Sequence, residues 1–437
     1  MTEQQTHQHG TSTASGVADR PHDELDLSSR AFWSTSADVR EKTFALLRER
    51  DTLTWHAPFE DQLLEDPDDH GFWAVTRYDD LVEVTKRHTD FLSGPGILME
   101  SLPAELVEAA QSIIAMDPPR HTKLRRIVAS AFTPKQMRRI SDRIAANARD
   151  VVDNLVATAE AGGGTCDFVA ECAELLPMHN INDIMGVPEG ERQRAAWEMK
   201  VGTGWNDPEL VGDTREEVLT RMFQAMVYMH GLASSLAEQR RREPTDDLIS
   251  ALAAAEVDGE RLTDDEIGAF FVLLTIAGND TTRQATSHAL RGLTEFPEQR
   301  AWLLADLEGR LPDAVEEFVR WATPIMTFRR TAARDLEFRG RSIAAGDKVV
   351  MFYSSANRDP ARIERPLEFD LSRHPNPHIS FGGGGIHHCL GMQLARTQLK
   401  TLFTELLTRV PDITGGEPVL TPGNFFHVVK RMEAHLG

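Results

Sequence analysis

The sequence predicts a mainly α protein with a small β region, built as one large unit, and three observations carry that expectation. Helical periodicity dominates from Pro134 to Gln299. One helix of some 32 residues should open at Thr263-Asp264-Asp265-Glu266, a capping box, and run to about Glu295, just before Pro297. Strand-like stretches are short and peripheral, near 71–75, 335–353 and the C-terminus.

Bulk properties narrow the class. A chain of 437 residues can bury a large core, and 41% apolar with 26% charged residues is ordinary for a globular protein. The formal charge of −21 argues against nucleic acid or an anionic membrane as a general partner. The balance reverses locally: residues 120–149 hold nine Lys or Arg (Arg120, Lys123, Arg125, Arg126, Lys135, Arg138, Arg139, Arg143, Arg149) against one acid, Asp142. Cys166, Cys172 and Cys389 are too few and too irregular for a disulfide framework, so a reducing cytoplasm is expected. No apolar run approaches the roughly 18–20 residues that would span a bilayer, so no membrane anchor is expected. Residues 1–27 read as a disordered polar tail and 28–437 as a single domain without internal repeats.

Along the chain, Gly71 to Val75 reads as a strand and Tyr78 to His88 as a helix. Residues 91–116 form a loop punctuated by Gly and Pro yet carrying Ile97, Leu98, Met99 and Leu102, and long loops of this kind often line functional sites. At about 1.5 Å per residue, the helix from Asp264 is a rod of roughly 48 Å, enough to cross the whole molecule. After the strands of 335–353 comes an irregular stretch (Pro360 to Pro377), a glycine run, a last long helix from Leu390 to about Val410, and short strands between Pro418 and Leu436.

The most informative segment is Phe381-Gly382-Gly383-Gly384-Gly385-Ile386-His387-His388-Cys389-Leu390-Gly391. Four glycines allow positive φ and close approach to a flat ligand. They end in a cysteine at the start of a helix, where amide N–H groups and the helix dipole favour a thiolate. A phosphate-binding loop would need Gly-Lys-Ser/Thr here, which is absent.

This segment resembles the haem-binding loop of cytochromes P450, Phe-x-x-Gly-x-Arg/His-x-Cys-x-Gly, with Cys389 as the iron ligand. It is one glycine longer than the common pattern, a form similar to actinobacterial P450s that hydroxylate sterols and methyl-branched lipids. Ala277-Gly278-Asn279-Asp280-Thr281-Thr282 resembles the family's oxygen-activation motif. Gly278 would leave room for O2, while Asp280 and Thr281 would be the catalytic acid and alcohol that move protons into the site. A mid-helix Thr can also bond back to the i−4 carbonyl and open a groove for water. Glu317-x-x-Arg320 resembles the family's structural Glu/Arg pair, completed by Arg373.

The resemblance implies the triangular, α-rich P450 fold with its long central helix, a haem b cofactor, O2 as co-substrate, and insertion of one oxygen atom into a C–H bond. Haem propionates need cations, and His121, Arg125, Arg330 and His387 match the family's positions for them. With Ala277, Gly278, Phe381, Gly382, Cys389 and Gly391 they form the expected cofactor-binding set. Arg126, Lys135, Arg138 and Arg139 follow the helix that in P450s reaches the electron-donor face, so an acidic ferredoxin with an NAD(P)H-dependent ferredoxin reductase is the expected partner of a monomeric enzyme. Ile97, Leu98, Met99, Ile276, Ile325, Met326, Phe328, Phe425 and Phe426 fall where the family places substrate contacts, which favours a branched lipid, terpenoid or steroid. A macrolide or aromatic natural product, a peroxide-driven P450, and a haem-thiolate protein that senses or binds a ligand are the alternatives.

Overall fold

The computed structural model describes residues 20–60, 62–101, 112–131 and 134–437. Leu102 and residues 1–19 of the expected tail lie outside the described residues, and so does the side chain of Lys135. The helices that build the site are α1 (Ala37–Glu49), α2 (Tyr78–Lys86), α3 (Arg120–Ala131), α4 (Pro134–Ala161), α5 (Leu175–Met185), α6 (Glu189–Thr203), α7 (Arg215–Arg242), α8 (Asp264–Glu295), α9 (Leu307–Ala322) and α10 (Met392–Arg409).

The central helix α8 has the expected bounds. Its Thr263 side chain accepts from the Glu266 amide while the Glu266 carboxylate accepts from the Thr263 amide, which completes the capping box. It is buried on several sides, packed by α5, α7 and α9, so it behaves as an interior rod rather than a one-faced surface helix. Two apolar clusters meet along it. One joins α4, α9, α10 and the C-terminal half of α8 around Phe318, Phe369 and Phe403. The other joins α3, α5, α7 and the N-terminal half around Ile127, Met185 and Phe271.

Five strands form the main sheet, in the order β1 (Thr54–His56), β2 (Phe72–Val75), β5 (Lys348–Phe352), β4 (Thr327–Ala332), β3 (Phe91–Leu92). The β2–β5 pair is parallel and the others antiparallel. Strand β4 runs directly out of α9 and carries Arg330 to the site.

Two boundaries move. The chain from Arg20 to Leu27 is not a loose tail: the Arg20 guanidinium lies 4.3 Å from the Trp55 ring and 4.6 Å from Trp73, ion-pairs with Asp347 at 2.9 Å, and Leu27 is fully buried. Low apolar content concealed it, because a cation stacked on two indoles does the anchoring. The last helix begins at Met392, with Gly391 as its cap, so Cys389 stands just ahead of it.

Candidate active site

Cys389 is presented by a loop whose glycines are needed for two different reasons. Gly382 (φ +96°) and Gly384 (φ +82°) take left-handed conformations that other residues avoid. Gly383 and Gly385 are pressed onto α2. A Cβ on Gly383 would stand 2.6 Å from the Thr85 hydroxyl oxygen, and one on Gly385 would stand 2.0 Å from the Thr85 carbonyl oxygen. The additional glycine therefore seats the loop against α2. The Cys389 amide donates to the Phe381 carbonyl at 2.9 Å, closing the loop. Phe381 is held by Arg396, 5.0 Å from its ring, and by His378.

The thiol environment is a balance. Burial pushes the Cys389 pKa up, while amides of Gly391 and Met392 and the Arg125 and Arg396 guanidinium groups pull it down, and the net direction is upward. An iron bound here would hold Cys389 as the thiolate, with the Gly391 and Met392 amides and the Arg125 and Arg396 guanidinium groups beside it.

Opposite the Cys loop, α8 offers a stripe at helical spacing: Phe270, Leu273, Leu274, Ala277, Gly278, Thr281, Thr282 and Ala285. The Thr281 hydroxyl donates to the Ala277 carbonyl at 2.6 Å, the expected i−4 bond, and the helix continues without a break. Gly278 lines the cavity and also lets α5 approach α8, since a Cβ there would lie 2.5 Å from Ile181 Cδ1. Asp280 and Thr281 do not face one another, since consecutive helical residues diverge by about 100°. Thr281 lines the cavity, whereas Asp280 is buried beside it, 2.9 Å from Arg283. Arg283 lies 3.7 Å from Glu174, which pairs with Lys200 at 2.6 Å, so charged groups lead from Asp280 towards the surface.

Between α8 and the Cys loop is a cavity with about 1640 Å³ of free space, its mouth included. Arg125, Arg330 and His387 line it. Arg330 is buried and donates to the Arg329 carbonyl at 2.7 Å, and Arg125 donates to the His388 carbonyl at 2.6 Å. Neither guanidinium has a carboxylate in ion-pair contact among the described residues. His121 is buried with no hydrogen-bond partner on either ring nitrogen, and its ring lies 4.4 Å from that of His387, tilted by 58°. Burial, then Arg330, His121 and Arg125, hold His387 down to about 2, while its Nε2 meets the Ser93 hydroxyl at 3.0 Å. A buried cluster of cations and unsatisfied imidazole that lacks its own anion calls for an external one. Haem, with two propionates and an iron for Cys389, fits that requirement.

The scaffold is where the resemblance put it. Glu317 and Arg320 form a fully buried bidentate pair at 2.7 Å, and Arg373 reaches the same carboxylate at 3.2 Å. Asn376 and the Asp370 amide complete it, so every acceptor is used, and Arg320 also binds the carbonyls of Asn357, Pro366 and Glu368. The cluster pins the irregular stretch that leads into the Cys loop.

The nine expected substrate contacts divide. Ile325 and Phe328 line the cavity, and Phe425 packs edge-on against Phe328 at 5.3 Å. Met99 and Met326 are core residues packed beside Phe44 and Phe352, and Phe426 lines a separate small pocket. Ile276 packs into the apolar core one step off the α8 stripe. Ile97 and Leu98 are outside the cavity wall, and the Ile97 carbonyl instead accepts from the Arg329 amide at 2.8 Å. The residues missed are Ile113 and Ile114 from the loop, and Phe270, Leu273, Leu274 and Ala285 from α8. Extending the three-four spacing outward from Ala277 and Thr281 would have found the α8 set.

The cationic face of α3 and α4 is also less bare than its composition suggested. Arg126 pairs with Asp258 at 3.2 Å and Arg139 with Asp246 at 2.9 Å. Among the described residues, no helix is long and apolar enough to cross a membrane, and all three cysteines are free.

Known proteins share this arrangement. The family model for cytochrome P450 matches residues 66–410. A methyl-branched lipid omega-hydroxylase of Mycobacterium tuberculosis H37Rv is 41% identical over 94% of each chain. A steroid C26-monooxygenase of the same organism is 34% identical over 91% of this chain and 88% of its own. Among solved structures, a Mycobacterium marinum cytochrome P450 in complex with pseudoionone is 54% identical, with a TM-score of 0.89, over 95% of this chain and 99% of that one. A thiol held just ahead of a helix, an apolar stripe carrying Thr281 and Thr282 opposite it and an anion-seeking cation cluster agree with that likeness along the chain, which belongs to the cytochrome P450 family as a haem-dependent monooxygenase.

Proposed function

We propose that this monooxygenase hydroxylates a methyl-branched lipid, terpenoid or steroid at or near a chain end. The cavity wall carries the reading. Away from the cations at the propionate positions and the Cys loop, it is built from Ile113, Ile114, Phe270, Leu273, Leu274, Ala277, Ile325 and Phe328, and its other polar groups, among them Thr281, Thr282, Tyr353 and Gln398, are uncharged. Such a wall gains from covering hydrocarbon and offers no charge to hold a polar end. The relatives named for methyl-branched lipids and for steroid C26 support the same substrate class, as does the pseudoionone bound by the Mycobacterium marinum protein.

In this reading Cys389 ligates the iron, and Arg125, Arg330, His121 and His387 hold the propionates. Haem supplies activation of O2 for C–H insertion when bound. Thr281 keeps its hydroxyl proton on Ala277, so its oxygen lone pairs accept a hydrogen bond from a proton-carrying water in the cavity. Asp280, behind it, is held by the Arg283 guanidinium, which continues to Glu174 and Lys200. An acidic ferredoxin, reduced by an NAD(P)H-dependent reductase in the cytoplasm, delivers electrons to a monomer at the Arg126 and Arg139 face.

The test is a spectral titration of the holoenzyme with branched fatty acids, terpenoids, steroids, a macrolide and a polycyclic aromatic, followed by product analysis with ferredoxin and reductase. The expected result is displacement of the iron-bound water and terminal hydroxylation with branched apolar ligands. Turnover confined to the macrolide or aromatic would contradict the proposal.

A further inference from the structure

Two of the cations expected to greet an electron donor, Arg126 and Arg139, are engaged by a single acidic stretch of this chain, as are Arg120 and Lys123 beside them. Arg120, Lys123 and Arg126 recur every three residues along α3. Arg120 lies 3.8 Å from Glu266, Lys123 pairs with Glu260, and Arg126 pairs with Asp258 at 3.2 Å. On α4, Arg139 meets Asp246 at 2.9 Å. These four acids fall within residues 246–266, ahead of and at the start of α8.

Two of them sit on a hairpin of Glu256–Val257 and Glu260–Arg261, whose base is tied by Arg261 to Glu256 at 2.8 Å. Its tip is Asp258 (φ +57°) and Gly259 (φ +80°), the left-handed pair of a tight hairpin turn. That geometry presents Asp258 and Glu260 to α3 as a compact negative patch. Both sides of the contact remain wet: the Arg126 side chain is 59% exposed and that of Asp258 78%. Exposed pairs of this kind are weak and screened by salt, so a partner can exchange for them.

We propose that the 256–261 hairpin occupies the electron-donor surface in place of the donor, and that an acidic one-electron carrier docks by displacing Asp258 and Glu260 from Arg126 and Lys123. The inference rests on the reading above that the donor uses this face. It makes the hairpin a specificity filter: a carrier must out-compete two carboxylates, so weakly acidic proteins are excluded.

The hairpin can be neutralised without disturbing its shape. Asn suits a left-handed turn position at least as well as Asp, and Gln is isosteric with Glu. In the haem-loaded enzyme, the Asp258→Asn/Glu260→Gln double variant should lower the apparent KM for an acidic plant-type ferredoxin about threefold at about 20 mM ionic strength, with kcat unchanged. The gap should close near 0.5 M salt, where the screening length is only about 4 Å. Arg126→Glu, measured in parallel, should raise the same KM about threefold. If Arg126→Glu acts and the hairpin variant leaves KM unchanged or raises it, the hairpin inference is overturned while the docking face stands. If neither moves KM, the docking face is wrong and the inference falls with it.

Discussion

Thr281 shows how much a single residue's role depends on direction. Its hydroxyl is fixed on the Ala277 carbonyl and it borders the cavity, while its sequence neighbour Asp280 points elsewhere and is held by Arg283. Removing the hydroxyl should therefore leave haem binding and reduction intact but starve the site of protons. Thr281→Ala is expected to keep consuming NADH and O2 while product per NADH falls about tenfold or more. Product yield equal to the wild type would show that Thr281 is only a helix residue with a satisfied hydroxyl. The residue types of the site were legible from local pattern. Directions were not: Met99 and Met326 were assigned to substrate and lie in the core. A loop residue's facing depends on contacts far away in the chain, which no local period records.

At the scale of elements, the Cys loop is clamped from both sides by one carboxylate of α9. Glu316 accepts two hydrogen bonds of 2.6 Å from Arg396 on α10 and meets His378, just before the glycine run, at 3.1 Å. Burial works to raise its pKa, but the bonds from His378 and Arg396 outweigh it and hold the carboxyl at about 2, against 4.5 for the free group. Because the folded value is the lower one, the stabilisation is fully present above pH 4.5 and lost as pH falls towards 2. Glu316→Gln should accordingly lower the thermal midpoint at pH 7 by a few degrees, and the difference from wild type should shrink between pH 4.5 and pH 2.5. A gap independent of pH would mean that the side chain acts by packing alone. This clamp escaped sequence reading because Glu317, its neighbour, carried the recognisable Glu-x-x-Arg spacing. The buried Glu317–Arg320–Arg373 cluster was readable for that reason, and breaking a pair of that kind typically costs about 3–5 kcal/mol.

For the molecule as a whole, α8 is the organising element, and it was also the one most fully written in the sequence. Its cap, length and apolar content are local properties, so the reading and the structure agree at both ends. What local properties could not supply is the way separate segments converge on one cavity. Arg125 comes from α3, Arg330 from β4, Cys389 from the loop before α10 and Thr281 from α8. Their convergence supports a cofactor that the family carries and whose propionates the cation cluster awaits. The surface follows the same logic, since a protein of net charge −21 pairs Lys123 and Arg126 of α3 with the acids of its own hairpin.

The account turns on Cys389 being the iron ligand, and the spectrum of the dithionite-reduced, CO-bound enzyme reads that ligand directly. The wild type should give the red-shifted Soret band of a thiolate-ligated haem, and Cys389→Ser should lose it even where haem is still bound. A thiolate band that persisted in Cys389→Ser would place the ligand elsewhere and contradict the site described above.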